Sequence, residues 1–217
     1  MSKNEGPICA LCRITACEAE PGSKVPPSFC PMVTDPEILR EVEETYRTDP
    51  ALRRMAVESA RTEASGYCVS PRVEETMDFA RRMGWRRLGI AHCMGFMQEA
   101  KIAREIFMAG GFEVFTVCCK VGSVDKESMG IEDSEKIRPG QFEAICNPVA
   151  QAALLARAGT EFNVVMGLCV GHDSMFLMHS KAPATVLVVK DRVLGHNPVA
   201  ALYTSHSYYS RLKAKNA

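Results

Sequence analysis

The spacing of apolar positions along this chain changes character near residue 87. Before it, they recur at helical intervals; after it, they form short runs separated by amphipathic stretches. Residues 1–34 show neither pattern, because Pro7, Pro21, Gly22, Pro26, Pro27 and Pro31 interrupt any period, and such a segment cannot order itself by apolar burial. A helix is predicted from Thr34-Asp35-Pro36, an N-cap candidate with proline in the first turn, to about Arg47. A second starts at Asp49-Pro50 and ends near Gly66. A third starts at Ser70-Pro71, carries Val73, Met77, Ala80 and Met83 on one face, and stops at Gly84.

The second half reads as a strand at 88–92, a helix at 96–109 stopped by Gly110-Gly111, and a strand at 113–118. A polar loop, 120–141, and a short strand, 142–146, precede a helix at 148–158 and a buried strand at 163–168. A short helix from Asp173 and a strand at 184–189 follow. After Gly195-His196-Asn197-Pro198 come a short helix and a basic tail, expected to be mobile. This alternation predicts βαβ units, hence an α/β fold: a mainly parallel, Rossmann-like sheet flanked by helices, with an irregular cysteine-rich arm. The expected organisation is an arm over 1–34 and an α/β domain over 35–217. Within that domain, Cys93-Met94-Gly95 and Cys146-Asn147-Pro148-Val149-Ala150 are echoed by Cys169-Val170-Gly171 and His196-Asn197-Pro198-Val199-Ala200. The echo suggests an internal repeat, about 86–160 and 162–203.

With 217 residues, 47% of them apolar, the chain can bury one sizeable core. Its 26 basic and 26 acidic residues balance, which argues against nucleic acid or an anionic membrane as partner. The first residues carry no basic-then-apolar signal and no apolar run approaches a membrane span, so a cytoplasmic protein is expected. Thiols stay reduced there, and ten cysteines then read as ligands or reagents rather than bridges.

Four of the ten form C-x2-C-x4-C-x12-C-P: Cys9, Cys12, Cys17 and Cys30, with Pro31. Thiolates in this number suit tetrahedral zinc or an iron-sulfur centre. A close trio, a distant fourth and Cys-Pro favour a [4Fe-4S] cluster, with zinc as the alternative; a bound metal would order the arm. A purely stabilising centre fits the same residues.

A second constellation lies where open α/β sheets bind ligands, beyond the carboxyl ends of the strands. Cys93 and Cys169 each follow a strand and precede glycine and a helix. Of Cys118 and Cys119 only one can face the same way, and Cys119 is the candidate. Cys146 precedes an Asn-Pro helix start, where the helix dipole would favour thiolate, and His196 holds the matching place in the second copy. Cys93, Cys119, Cys146, Cys169 and His196 are thus candidates for a second cofactor, including a second cluster. Cys146 and Cys169 are candidate nucleophiles with His172 or His196 as base. Cys68 and the twelve methionines are expected to be core filling, and His92 a strand residue; His179 and His206 carry no signal.

Along nearly its whole length the chain resembles a cysteine-rich family, domain of unknown function 1847. The residues that carry the resemblance are Cys9-Ala-Leu-Cys12, Cys17, Cys30-Pro31, Cys146-Asn147-Pro148, Asn163 through Ser174 and Val193 through Pro198. The resemblance implies a metal-binding protein and no agreed activity. The expected function is an iron-sulfur protein with an N-terminal centre and a second Cys/His site for a metal, a cluster or a small substrate. Its chemistry would be redox or Lewis-acid, of oxidoreductase or lyase/desulfidase type, with a redox partner or small molecule as counterpart and association into a homo-oligomer left open. The alternatives are a zinc-stabilised binding or trafficking protein and a cysteine-nucleophile enzyme.

Overall fold

Prolines and caps set most helix starts in this chain. The computed structural model describes residues 6–214, and the chain divides into two units between Arg61 and Thr62. In the first unit, two 3-10 turns, Cys9–Leu11 and Ala16–Glu18, precede α1 (Pro31–Thr34) and α2 (Pro36–Thr48). The division falls within α3 (Pro50–Gly66). Asp49 caps α3, its Oδ1 accepting the amides of Ala51 (2.9 Å) and Leu52 (3.0 Å). Asp35 does not cap α2; it takes the Thr34 hydroxyl instead, at 2.6 Å, and Pro36 alone fixes the start.

The second unit opens with α4 (Arg72–Met83), which ends at Gly84 in the left-handed conformation, φ 77°. The Trp85 amide reaches back to Ala80 O at 2.9 Å, closing the helix end. Four parallel strands follow in the order β2-β1-β3-β4: β1 (Arg87–His92), β2 (Glu113–Cys118), β3 (Phe162–Met166) and β4 (Ala184–Val188). Leu88 of β1 pairs with Val114 on one side and Phe162 on the other. The connections are α5 (Met97–Ala109), α6 (Pro148–Arg157) and α7 (His172–His179); α8 (Val199–Tyr203) follows β4. The predicted α/β fold with a parallel sheet and flanking helices is therefore the observed one. Both halves run strand, Cys-x-Gly, helix, strand, loop, Asn-Pro, helix.

Alternation along the strands divides the core into two layers. Leu88, Ile90, Val114 and Val164 pack with Ala80, Ala100, Ala103 and Phe107 of α4 and α5. Ala91, Val165 and Leu168 pack with Ala152 and Leu155 of α6 and Phe176 of α7. Phe107 and Phe176 are fully buried, each stabilising the unit by about 1.5–3 kcal/mol. On the α6 side β1 presents Gly89, where a Cβ would stand 2.2 Å from Asn163 Oδ1 and 2.9 Å from Leu155 Cδ1. Buried Asn163 accepts from the Thr160 hydroxyl (2.9 Å) and donates to Ser180 Oγ (2.8 Å), so its amide is satisfied.

Several expectations fail here. Residues 142–146 form no strand: their pairing stops at an isolated antiparallel bridge between Asp125 and Ala144, with Ile145 N–H to Val124 O at 2.8 Å. The polar loop, expected as such, is braced by ion pairs. The buried Lys136 ammonium meets the carboxylates of Glu127 and Asp133 and Gln141 O, and Lys126 meets Glu143 at 2.6 Å. Cys68 is exposed at φ 55°, not in the core, because the chain turns sharply after α3. Met83 and Met166 are buried, but Met32, Met94, Met97, Met129 and Met178 are exposed, so core filling does not describe the methionines as a class. The tail turns once more as a 3-10 helix, Ser210–Lys213, and its last three residues lie outside the described ones. Among the described residues no helix is long and apolar enough to cross a membrane.

Candidate functional site

In the first unit, local backbone geometry turns the arm cysteines toward one another. The Cys12 amide donates to Cys9 O at 2.9 Å, and this 3-10 turn eclipses side chains three apart, placing the two sulfurs on one side. Thr15, left-handed at φ 46°, redirects the chain into the turn that carries Cys17. Cys30 stands at the N-cap of α1 and its carbonyl accepts the amides of Val33 (2.7 Å) and Thr34 (3.0 Å). Cys9, Cys12, Cys17 and Cys30 together line one cavity of about 100 Å³, closed by Thr15, Ala16, Pro27 and Phe29. Among the described residues no three His, Cys, Asp or Glu side chains gather closely enough to hold a single metal ion. Four thiols lining one cavity are a donor set of the kind that holds zinc or an iron-sulfur centre.

In the second unit, the sheet order creates a switch point between β1 and β3. From β1 the chain moves outward to β2, then crosses back over the other face to β3. Beyond these carboxyl ends the Cys119 sulfur sits between two others. It lies 3.7 Å from Cys146 Sγ and accepts the Met94 amide at 3.3 Å, and Cys93 belongs to the same buried cluster. Backbone bonds fix the trio: Cys119 N–H to His92 O at 2.8 Å, Cys93 N–H to Met166 O at 3.1 Å, and Asn147 N–H to Cys119 O at 2.7 Å.

Shared protons divide the three thiols. Cys119, almost fully buried, is pushed far upward by Cys146 and Cys93 as neighbours and by desolvation, so it keeps its proton. Cys93 is lowered to about 4, first by the Cys119 hydrogen bond, then by the Gly95 amide and Lys190, whose ammonium is 3.1 Å away. Cys146 is lowered to about 5, first by Cys119, then by the charges of Lys120 and His172. The causes are the neighbouring thiol and the nearby cations, not the helix start that singles out Cys146 in the sequence. Of the three, Cys119 holds its proton most firmly and Cys93 and Cys146 give theirs up more readily.

Cys169 joins the edge of this group. Arg192 donates to its sulfur at 3.2 Å, and the guanidinium is raised by Cys169 first and by the charges of Cys93 and Cys146. Gly167, φ 63°, lets β3 end against the Phe96 ring, where a Cβ would meet ring carbons at 2.3 Å. Phe96 carries Lys190 over its face at 4.7 Å and the His196 ring at 4.6 Å. His196 is left-handed at φ 67°, and its Nδ1 accepts the Asp191 amide at 3.0 Å, so one ring nitrogen is spent on its own loop. His172 begins α7 with Nδ1 buried and without a hydrogen-bond partner among the described residues. Cys118 turns away, 4.0 Å from Met94 Sδ.

The structure therefore gathers Cys93, Cys119 and Cys146, sets Cys169 and His172 at their edge, and uses His196 partly as a cap. Sequence reasoning missed Lys120, Lys190 and Arg192, which supply counter-charges to the sulfurs. A signal existed: Lys190-Asp191-Arg192 directly follows the apolar run of β4, at the strand end where ligands bind. It also missed Gln151, fully buried in α6, whose amide donates to His92 O (3.1 Å) and Val117 O (2.7 Å) and ties together the strand ends that carry Cys93 and Cys119.

Residues 30–187 match the family described as Protein of unknown function (DUF1847). The chain is also similar to an uncharacterized protein of Methanocaldococcus jannaschii, MJ0455. The two are 41% identical over 179 residues, which cover 82% of this chain and 90% of that relative.

Proposed function

The chain belongs to the DUF1847 family, and from that premise we propose an iron-sulfur protein with a separate reactive-thiolate site. Cys9, Cys12, Cys17 and Cys30 hold one [4Fe-4S] cluster, and Cys93, Cys119 and Cys146 meet a small electrophilic substrate at the sheet's switch point. The observation that carries the first part is the cavity of about 100 Å³ that Cys9, Cys12, Cys17 and Cys30 line together. A bound cluster supplies one-electron redox capacity or an iron Lewis acid. The chain's own part is to offer four thiolates from turns already fixed by backbone hydrogen bonds.

At the second site, charge neutralisation distinguishes a thiolate reagent from a metal ligand. A ligand thiolate takes its compensating charge from the metal; here Cys93 has Lys190, Cys169 has Arg192, and Cys146 has Lys120. Cations of the protein thus help keep Cys93 and Cys146 ionised, and a nucleophilic role follows for Cys146. The charge of His172 also lowers Cys146, and its buried Nδ1 has no hydrogen-bond partner among the described residues.

Anaerobic purification of the full chain with Cys12→Ser and Cys30→Ser, and separately with Cys93→Ser and Cys146→Ser, tests the division of labour. Loss of visible absorption and iron in the arm variants alone is expected. Iron retained by the arm variants and lost from the crevice variants would place the cluster among the crevice sulfurs and sink the proposal.

A further inference from the structure

We infer that the crevice trio carries out dithiol–disulfide exchange with small anionic disulfides, Cys146 attacking, Cys119 resolving and Cys93 receiving the resolving proton. The inference rests on the thiolate reading of the second site and goes beyond it in naming a reaction and a substrate class.

Geometry assigns the roles. Cys146 is half-buried, whereas Cys93 and Cys119 are buried, so an incoming molecule meets Cys146 first. Its Sγ lies 3.7 Å from Cys119 Sγ, and closing to a disulfide of about 2.05 Å is a side-chain adjustment between backbones already joined by the Asn147 N–H to Cys119 O bond. Cys93 is packed in the same buried cluster as Cys119, whose sulfur takes the amide of the next residue, Met94, so the proton that must leave Cys119 has an acceptor close by. The low proton affinity of Cys146 supplies the thiolate, and the retained proton on Cys119 keeps the second sulfur inert until the first has reacted.

The reaction balances as follows. The Cys146 thiolate attacks one sulfur of R–S–S–R, forming Cys146–S–S–R and expelling RS⁻. Cys119 Sγ then attacks Cys146 Sγ while its proton passes to the Cys93 thiolate, forming the Cys119–Cys146 disulfide and expelling a second RS⁻. The substrate disulfide gains two electrons and the cysteine pair loses two. An external dithiol returns the pair to the reduced state.

The substrate's sign follows from the cations around the sulfurs: Lys190 on Cys93, Arg192 on Cys169 and Lys120 near Cys146. The adjoining carboxylates face their own backbone. Asp191 Oδ1 accepts the amides of Val193 (3.0 Å) and Leu194 (2.9 Å), and Asp173 Oδ1 that of Ser174 (2.8 Å). A disulfide bearing carboxylates is favoured and a cationic one repelled.

The test uses the anaerobically purified full chain at pH 7 with oxidised glutathione, and cystamine as the cationic comparator. Peptide mass spectrometry of the wild-type chain should recover a Cys119–Cys146 linkage, and Cys119→Ser should trap the mixed disulfide on Cys146. At low salt oxidised glutathione should react about tenfold faster than cystamine, the gap closing as salt rises. Equal rates, or faster reaction with cystamine, would overturn the substrate class. A mixed disulfide that persists on wild-type Cys146 without linkage would overturn the exchange and leave the thiolate site standing. No reaction at any of the three sulfurs would overturn the thiolate site itself. The wild-type measurement needs no variant to fold, and iron bound by the arm is assayed on the same sample.

Discussion

Acidification should leave Cys146 reactive where ordinary thiols fall silent. Its acidity, near 5, comes from the Cys119 contact, Lys120 and His172. A group lowered in this way stays ionised as pH falls until it reaches that value. A reference thiol with a pKa of about 8.5 is roughly 0.03% thiolate at pH 5, about 3% at pH 7 and about 75% at pH 9. Cys146 is about half ionised at pH 5 and fully so above pH 7. A weaker base is also a weaker nucleophile: with a Brønsted slope of 0.4–0.5, the difference of about 3.5 units costs roughly 40-fold in intrinsic rate. Relative to the reference, Cys146 is then about 40-fold faster at pH 5, about equal at pH 7 and about 30-fold slower at pH 9. Slow access to a half-buried sulfur multiplies every value alike, so the change in the ratio, about a thousandfold, survives it. The assay places a reference peptide in the same tube, adds dithiodipyridine for timed intervals, and counts unreacted Cys146 by isotope-coded alkylation and mass spectrometry. A Cys146 rate that rises tenfold per pH unit from 5 to 8, parallel to the reference, would refute the reasoning.

Lys120→Met should move the inflection of that profile upward while leaving it below an ordinary thiol's, because the Cys119 contact is the larger cause; the same titration reads it. Gly89→Ala forces a Cβ to 2.2 Å from Asn163 Oδ1 and should lower stability by about 2 kcal/mol, or roughly 4–8 °C in melting temperature; unchanged thermal unfolding would contradict the packing of α6 on β1. Lys136→Met removes the ammonium that braces Glu127, Asp133 and Gln141. Faster amide exchange confined to the loop after β2 is expected, and unaltered protection there would show that the brace is not needed.

Local signals made the fold legible. Pro50, Pro71 and Pro148 open helices near where proline can sit, Gly84 ends one, and the short apolar runs at 88–92 and 163–168 supply the central strands. Residues 142–146 misled because this short apolar stretch pairs with one segment near Asp125 and goes no further, a matter of tertiary partners rather than propensity. Cys68 misled because burial tendency says nothing about a left-handed turn after α3. At the site, Cys93 and Cys146 could be found from strand ends and Asn-Pro starts. That Cys119 lies between them could not, since the contacts span 25 residues or more and depend on the sheet order. Lys190 and Arg192 look like ordinary surface charges until β4 is placed beside β3 and aims their segment at the sulfurs.

The arm cluster is the claim on which the functional assignment stands, and its composition can be counted. Iron, acid-labile sulfide and zinc in the anaerobically isolated full chain should come out at about four irons and four sulfides per chain, with zinc well below stoichiometry. A colourless protein carrying about one zinc and no sulfide would contradict it.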